Sequence, residues 1–261
     1  IDNVVIACSS CKQPVTRVID VGNPWLDAGI VSFSTLKFRS DKDYWKDWFP
    51  ADWISESFPG QYRNWFYSLL TMSLVMADSE PCKNIFSYAL MRDEKGEEMH
   101  KSKGNAIWFE DAADVMGVDA MRWQFAGQNP SANLNFGFST ADEVRRQFLI
   151  PLWNVYSFFV TYANIDKFSP NVSPPKVNDR SELDRWILSE LNALIDSVTD
   201  KLELFQPERV TRDVENFVEY LSNWYVRRSR RRFWKAGLLG DTVLNADLDK
   251  LSAYFTLYEV L

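Results

Sequence analysis

The 261 residues hold 29 Lys and Arg against 36 Asp and Glu, one His, three Cys and 11 Trp, for a formal net charge of −7. With 46% apolar and 25% charged residues the chain is not disordered, since a disordered chain lacks the apolar surface to offset its ordering entropy. The negative balance argues against a general nucleic-acid coat, three Cys give no disulfide framework and suit a reducing cytoplasm, and no apolar run approaches the ~18 residues of a membrane span.

The chain opens Ile1-Asp2-Asn3, without an initiator Met or a signal-like segment, and ends Glu259-Val260-Leu261, as a cut through an apolar helix would. The expectation is a fragment or a processed product.

Residues 1–36 read as β- and loop-rich. Val4-Val5-Ile6 and Val15-Thr16-Arg17-Val18-Ile19 are β-branched runs around a knuckle, Cys8-Ser-Ser-Cys11 with Pro14, and Gly22-Asn23-Pro24 breaks the second run. Trp25-Leu26-Asp27-Ala28-Gly29 reads as a turn leading to a strand. Ala51 to Ser55 is a short strand, Gln61 to Met76 a helix with Trp65, Leu69, Met72 and Met76 on one stripe, and Ile85 to Met91 a second strand. Strand, helix and strand in that order predict one parallel βαβ unit.

Arg92 to Gly96 is a charged turn, and a loop follows it. Helices are expected over 110–116 and 118–125, and Asn129-Pro130-Ser131-Ala132-Asn133 breaks the chain. From about residue 140 its character changes. A long aromatic helix is expected over 142–165, a Pro-rich linker over 166–180, a helix over 181–204 capped by Ser181, and a third over 208–236, with a fourth starting in the tail. Long helices with short links predict an antiparallel bundle.

Four segments carry chemistry. Glu98-Met99-His100-Lys101-Ser102-Lys103-Gly104-Asn105 follows a strand and a charged turn. Lys101 offers a point charge, Ser102 and backbone N–H groups offer donors, and Gly104 allows close backbone approach, a set suited to a polyphosphate. Alone, such a loop is ordinarily a solvated turn, and its His100 a surface residue. Glu56-Ser-Phe-Pro-Gly-Gln61-Tyr-Arg63-Asn64-Trp65-Phe66 lies between the strand and the helix of the βαβ unit, where nucleotides bind in open α/β sheets. Its plain alternative is a helix N-terminus with a core Trp. Leu221 to Trp234 mixes Arg227, Arg228, Arg230, Arg231, Arg232 and Trp234, which suit phosphate contacts and base stacking, or else a helix with a solvated basic face. Cys8 and Cys11 supply half of a tetrahedral zinc site, with no further ligands apparent in the chain. Pro14 and the β-branched flanks argue against a redox C-x-x-C.

Together these strings resemble class I aminoacyl-tRNA synthetases of the isoleucine type. Met99, Lys101, Ser102, Gly104 and Asn105 match the K-M-S-K-S-x-G-N signature loop, with Glu98 in place of the first Lys and His100 in place of the first Ser. Glu56, Gln61, Arg63, Trp65 and Phe66 match the E-G-x-D-Q-x-R-G-W-F segment, with Ser57, Gly60 and Asn64 differing and one residue inserted. The string Leu221 to Trp234 resembles L-S-x-W-Y-x-R-R-x-R-x-R-F-W, and residues 25–29 resemble W-F-D-S-G.

The resemblance implies the second half of a Rossmann-type nucleotide-binding domain followed by an antiparallel helix bundle. Residues 1–36 would form a zinc-knuckle-like return segment, 37–139 the C-terminal half of the catalytic domain, and 140–261 a truncated anticodon-binding bundle. It implies Lys101 and Ser102 as catalytic residues and Met99, His100, Lys101, Ser102, Gly104 and Asn105 as ATP-binding. It also implies Glu56, Gln61 and Trp65 at the aminoacyl-adenylate, and Arg227, Arg228, Arg230, Arg231, Arg232 and Trp234 at tRNA. ATP with Mg2+, isoleucine and tRNA(Ile) would be substrates and partners of a monomeric cytoplasmic parent, and Cys8 and Cys11 would take zinc with ligands from upstream. With His100 the only His, an H-I-G-H element is missing, so the fragment alone is expected to be inactive. A non-catalytic RNA-binding module derived from a synthetase, a valine-specific relative and a structural zinc-knuckle protein stay open as alternatives.

Overall fold

The structure is a computed structural model that describes residues 4–18, 22–58, 60–235 and 247–261. Ile19, Pro59 and Ala236, each used in the reading above, lie outside the described residues. The chain divides into two compact units, residues 1–90 and 91–261, so the division falls within the stretch expected to be the catalytic half.

In the first unit β1 (Val5–Ala7) and β2 (Pro14–Thr16) form an antiparallel hairpin around the cysteine turn. The segment after it is helical, which corrects the expected turn and strand. Asn23 accepts a hydrogen bond from the Trp25 N–H at 3.0 Å, and Pro24 occupies the first turn of α1 (Pro24–Gly29). The supposed breaker is a helix start, because Asn caps the free N–H groups and Pro has none to lose. α2 (Val31–Ser34) and α3 (Lys42–Trp48) follow, the latter unexpected and capped by Asp41. Phe33 packs with Phe38, Trp45 and Phe49.

The expected βαβ unit is present. β3 (Ile54–Ser57) and β4 (Ile85–Tyr88) pair in parallel, with α4 (Trp65–Ala77) between them in sequence. α4 buries Phe66, Leu69 and Ser73, while Trp65 and Met72 are half-buried and Met76 is exposed, so the buried stripe differs from the expected one. Ile54, Phe66, Leu69 and Cys82 form the local core. α1 lies so close to α4 that a Cβ added at Gly29 would stand 2.7 Å from the Ser68 carbonyl oxygen.

In the second unit β5 (Met91–Arg92) pairs in parallel with β6 (Leu134–Asn135). The single strand expected over 85–91 is therefore two, and β6 was not anticipated. α5 (Phe109–Met116) and α6 (Val118–Gly127) join β5 to β6 and bury Ala112, Met116, Ala120 and Met121 against Phe136 and Ala141.

A long helix begins earlier than expected, as α7 (Phe138–Val144), widens into a π turn over Arg145–Leu149 and continues as α8 (Ile150–Ile165). Pro151 lacks the N–H that would close a regular turn onto Gln147, which suits a widened turn there. Among the described residues, 138–165 is the one helix long and apolar enough to cross a membrane by length and composition, contrary to the expectation that no run is. Val155, Phe158, Phe159 and Tyr162 pack into the bundle core.

α9 (Glu182–Glu203) is capped as expected by Ser181, which accepts from the Asp184 N–H. α10 (Pro207–Glu219), a π turn over Tyr220–Val226, α11 (Arg227–Trp234) and α12 (Leu248–Val260) complete the bundle. Ile187, Phe217, Leu221, Tyr225, Phe233, Tyr254 and Leu257 form its center. Ile195 and Leu202 of α9 are exposed.

Gly29→Ala should destabilise the first unit by roughly 1–3 kcal/mol, the usual cost of forcing an extra carbon into a tight contact. A urea midpoint equal to that of the unmutated chain would show that α1 and α4 separate freely.

Candidate functional site

The loop 98–105 leaves β5 through a tight turn. Gly96 takes φ 82°, and the Asp93 carboxylate accepts the N–H groups of Lys95 and Glu97 at 3.0 and 2.8 Å. Those bonds and the Asn105 amide hold the Asp93 carboxyl below the usual range, Asn105 most of all. Lys101–Lys103 forms one 3-10 turn, closed by Gly104 at φ 71°, whose N–H reaches the Lys101 carbonyl at 3.2 Å. The residue there must tolerate left-handed backbone, which explains the glycine.

The six expected ATP contacts divide. His100, Lys101, Ser102 and Gly104 are exposed. Met99 is half-buried and packs on the core of α5 and α6. Asn105 spends its amide inside the loop: its Nδ2 donates to Asp93 Oδ2 at 2.9 Å and to the Glu98 carbonyl at 3.1 Å, and its Oδ1 accepts the His100 N–H at 2.9 Å. Met99 and Asn105 thus pack or bond within the chain, while the other four are exposed. Glu98 lies 3.5 Å from His100 Nε2 and 3.9 Å from Arg92. The Lys101 ammonium sits over the Trp108 ring, 4.4 Å from its centroid.

In the first unit, Glu56 stands near the carboxyl end of β3. Its Oε1 accepts the Ser57 N–H at 2.7 Å and the Tyr88 hydroxyl at 3.3 Å. Partial burial, then the Glu56 charge, raises the Tyr88 phenol above its ordinary value. Gln61 lies in a 3-10 turn, Gly60–Tyr62, and its Oε1 accepts the Trp65 N–H at 3.3 Å at the start of α4. Trp65 donates its indole N–H to the Ala28 carbonyl at 3.2 Å, so its polar edge serves the fold. The carboxylate of Glu56 and the amide of Gln61 therefore flank the strand end as expected, while Trp65 acts as a strut.

The basic helix also divides. Arg227, Arg228, Arg230, Arg231 and Trp234 are exposed, and the Arg228 guanidinium stacks on Trp224 at 3.7 Å. Arg232 is different. Its Nη1 and Nη2 grip the two oxygens of the fully buried Asp184 at 2.7 and 2.6 Å, and Nη2 also reaches Asp249 at 2.9 Å. Tyr225 donates to the same carboxylate at 2.7 Å. Arg232 ties α11 to α9 and α12, and its side chain is mostly buried against Asp184, unlike the exposed arginines beside it.

Cys8 and Cys11 face each other across the hairpin turn. Backbone N–H groups of Cys11 and Ser10 lower the Cys8 thiol below its usual value. Such thiols suit a metal, but among the described residues no group of three or more His, Cys, Asp or Glu side chains is placed to hold one. The described residues do not complete a zinc site.

The model of class I tRNA synthetases (I, L, M and V) matches residues 2–137, and that of the anticodon-binding domain of tRNA ligases matches 184–261. Isoleucine–tRNA ligases of Dehalococcoides mccartyi and Thermus thermophilus are 42% and 41% identical to the chain over its whole length. The chain belongs to the class I tRNA synthetases. It spans about a quarter of the length of these curated relatives, 25% and 24%. A leucyl-tRNA synthetase of Agrobacterium radiobacter K84, solved with tRNA and LeuAMS, shares its fold over 97% of the chain and 31% of that structure, at TM-score 0.70 and 16% identity. A methionyl-tRNA synthetase of Mycobacterium tuberculosis bound by methionyl-adenylate covers 90% of the chain and 44% of its own, at TM-score 0.72 and 15% identity.

The fold of this synthetase chain is the second part of a Rossmann-like domain followed by a helical region. Three partners at its candidate sites escaped the sequence reading: Tyr88 on Glu56, Trp108 under Lys101 and Asp93 on Asn105. Trp108 lies seven residues after Lys101, at the N-cap of α5.

Arg232→Ala should cost about 3–5 kcal/mol in urea unfolding, since it strands a buried carboxylate. Arg230→Ala, on the exposed face, should stay within about 0.5 kcal/mol. Burial alone would raise the Asp184 carboxyl, yet Arg232, Tyr225 and Ser181 more than offset that and hold it below its ordinary value. The pair's stabilisation is therefore full above the unfolded carboxylate value of about 3.9 and is lost as pH falls through the lower folded value. Equal midpoints for the two variants at neutral pH would refute this assignment.

Proposed function

We propose that the chain is the part of an isoleucine–tRNA ligase that carries the signature loop, the adenylate-binding strand end and the start of the tRNA-binding bundle. The observation that carries this is 41–42% identity to isoleucine–tRNA ligases along the entire chain. In the proposed reaction the isoleucine carboxylate attacks the α-phosphorus of ATP and pyrophosphate leaves with the bonding electrons. A terminal tRNA hydroxyl then attacks the acyl carbonyl and AMP leaves. Lys101 and Ser102, with His100 beside them, stabilise negative charge on the departing pyrophosphate, and fixed donors aimed at developing charge are the strongest device such a loop offers. Glu56 and Gln61 orient the aminoacyl-adenylate through ammonium and hydroxyl contacts. Magnesium enters with ATP and neutralises phosphate charge. The exposed Arg227, Arg228, Arg230, Arg231 and Trp234 contact tRNA(Ile) by charge and stacking. The parent is a monomeric cytoplasmic enzyme.

A second reading, an RNA-binding module without catalysis, draws on the replacement of a cationic and a hydroxyl residue of the signature by Glu98 and His100. The pairing of Glu98 with Arg92 supports the first reading, since it partly neutralises the added negative charge.

ATP–pyrophosphate exchange by the full-length protein decides. Exchange is expected with isoleucine well above valine, and Lys101→Ala should lower kcat about 100- to 1000-fold, as loss of one charge-stabilising donor does elsewhere. Exchange untouched by Lys101→Ala would remove the loop from the chemistry, and none with either amino acid would favour the RNA-binding module.

A further inference from the structure

The exposed part of the signature loop, residues 100–104, contains one 3-10 turn, and the placement of Lys101 depends on how the loop's two ends are tied. Both ends meet at Asn105. Its amide hydrogens and its oxygen are bonded to Asp93, the Glu98 carbonyl and the His100 N–H. Turning the amide toward a nucleotide would leave all three without that partner, and such partners are expensive to abandon where water is partly excluded.

Asp93 has a neighbor that does something different. Glu94 Oε1 accepts the Ser139 N–H at 2.5 Å and the Ser139 hydroxyl at 2.6 Å, at the start of the helix over 138–165. Its fit is close: a Cβ added at Gly137 would stand 2.0 Å from Glu94 Cγ. Both carboxyls lie below their ordinary values, Asp93 chiefly through Asn105 and Glu94 chiefly through Ser139. Two consecutive carboxylates on one turn thus grip two elements, the signature loop and the first turn of the helix that runs into the bundle.

We propose that Asp93 and Glu94 form a two-sided clasp that holds the signature loop, through Asn105, in register with the start of the 138–165 helix, and that Asn105 is a positioning residue and not a nucleotide ligand. The proposal deepens the synthetase reading and rests on it, because register matters only if Lys101 acts on ATP. Gly137 is part of the clasp: it leaves the space that Glu94 fills.

The test is a double-mutant cycle in ATP–pyrophosphate exchange by the full-length enzyme. Asp93→Ala and Asn105→Ala should each lower kcat roughly 10-fold with a smaller change in KM for ATP, and the double variant should stay within about threefold of either single one, because both remove the same link. Glu94→Ala and Gly137→Ala should behave likewise as a second pair. Thermal unfolding by circular dichroism accompanies each variant. If an Ala variant unfolds at assay temperature, Asp93→Asn and Ser139→Ala take its place, the latter keeping the backbone donor. Multiplied losses of roughly 100-fold in the Asp93–Asn105 double variant, or a raised KM for ATP with unchanged kcat in Asn105→Ala, overturn the clasp and make Asn105 a ligand. Lys101→Ala is run in parallel. Full exchange there would defeat the synthetase role of the loop, whereas a large loss beside multiplied clasp effects would defeat the clasp alone.

Discussion

A carboxylate without water must have a cation, and the bundle is arranged around that need. Asp184 is fully buried on α9, and Arg232 from α11 answers it with a two-point grip while Tyr225 and Ser181 fill the remaining acceptor positions. Asp249 of α12 joins through the same guanidinium. Three helices are thereby fixed in rotation about one group, and the apolar center from Ile187 to Leu257 packs around it. Similar pairings recur nearby: Arg180 grips Glu259 and meets Thr256, and the buried Lys250 meets Asp166. Apolar packing alone is tolerant of rotation and sliding, whereas a buried bidentate pair is not, so these links select one arrangement among several of similar apolar area.

The same distinction between grip and display runs through the candidate sites. A basic string divides into one clamped arginine and four displayed ones. The six expected ATP contacts of the signature loop divide into two that pack or bond within the chain and four that are exposed. At the end of β3 the indole of Trp65 holds α1 while Glu56 and Gln61 stand at the strand end. In each case a motif that reads as one functional unit is part scaffold, and the scaffold residues are those whose polar atoms are already committed.

Much of the fold was legible because its signals are local. Ser181 before an amphipathic run announces α9, the alternation of strand, helix and strand over 54–88 announces the parallel pair, and Gly104 marks the left-handed end of the loop. What was not legible depended on partners distant in sequence or on ambiguous local signals. Asn23-Pro24 fits both a turn and a capped helix, and only the fit of Gly29 against α4 decides for the helix. The π turns leave no periodic trace. β6 is two residues long and exists because β5 lies beside it. The charge of Arg232 is visible in the sequence, but its burial is set by Asp184, 48 residues away. The four exposed loop residues and the pair Glu56 and Gln61 were singled out from motif and place, while Tyr88, Asp93 and Trp108 carry no motif of their own.

The resting place of Lys101 has a consequence for how fast the loop can respond. An ammonium over an exposed indole is held by about 0.5–1 kcal/mol, since most of its hydration survives there. If the lysine must leave Trp108 to meet a phosphate, the competent population is reduced only about two- to fivefold, and the apparent affinity for the incoming anion falls by the same factor. Such a hold keeps a flexible side chain from wandering yet yields readily, so in the proposed role release of the lysine would add little to the cost of capturing a phosphate.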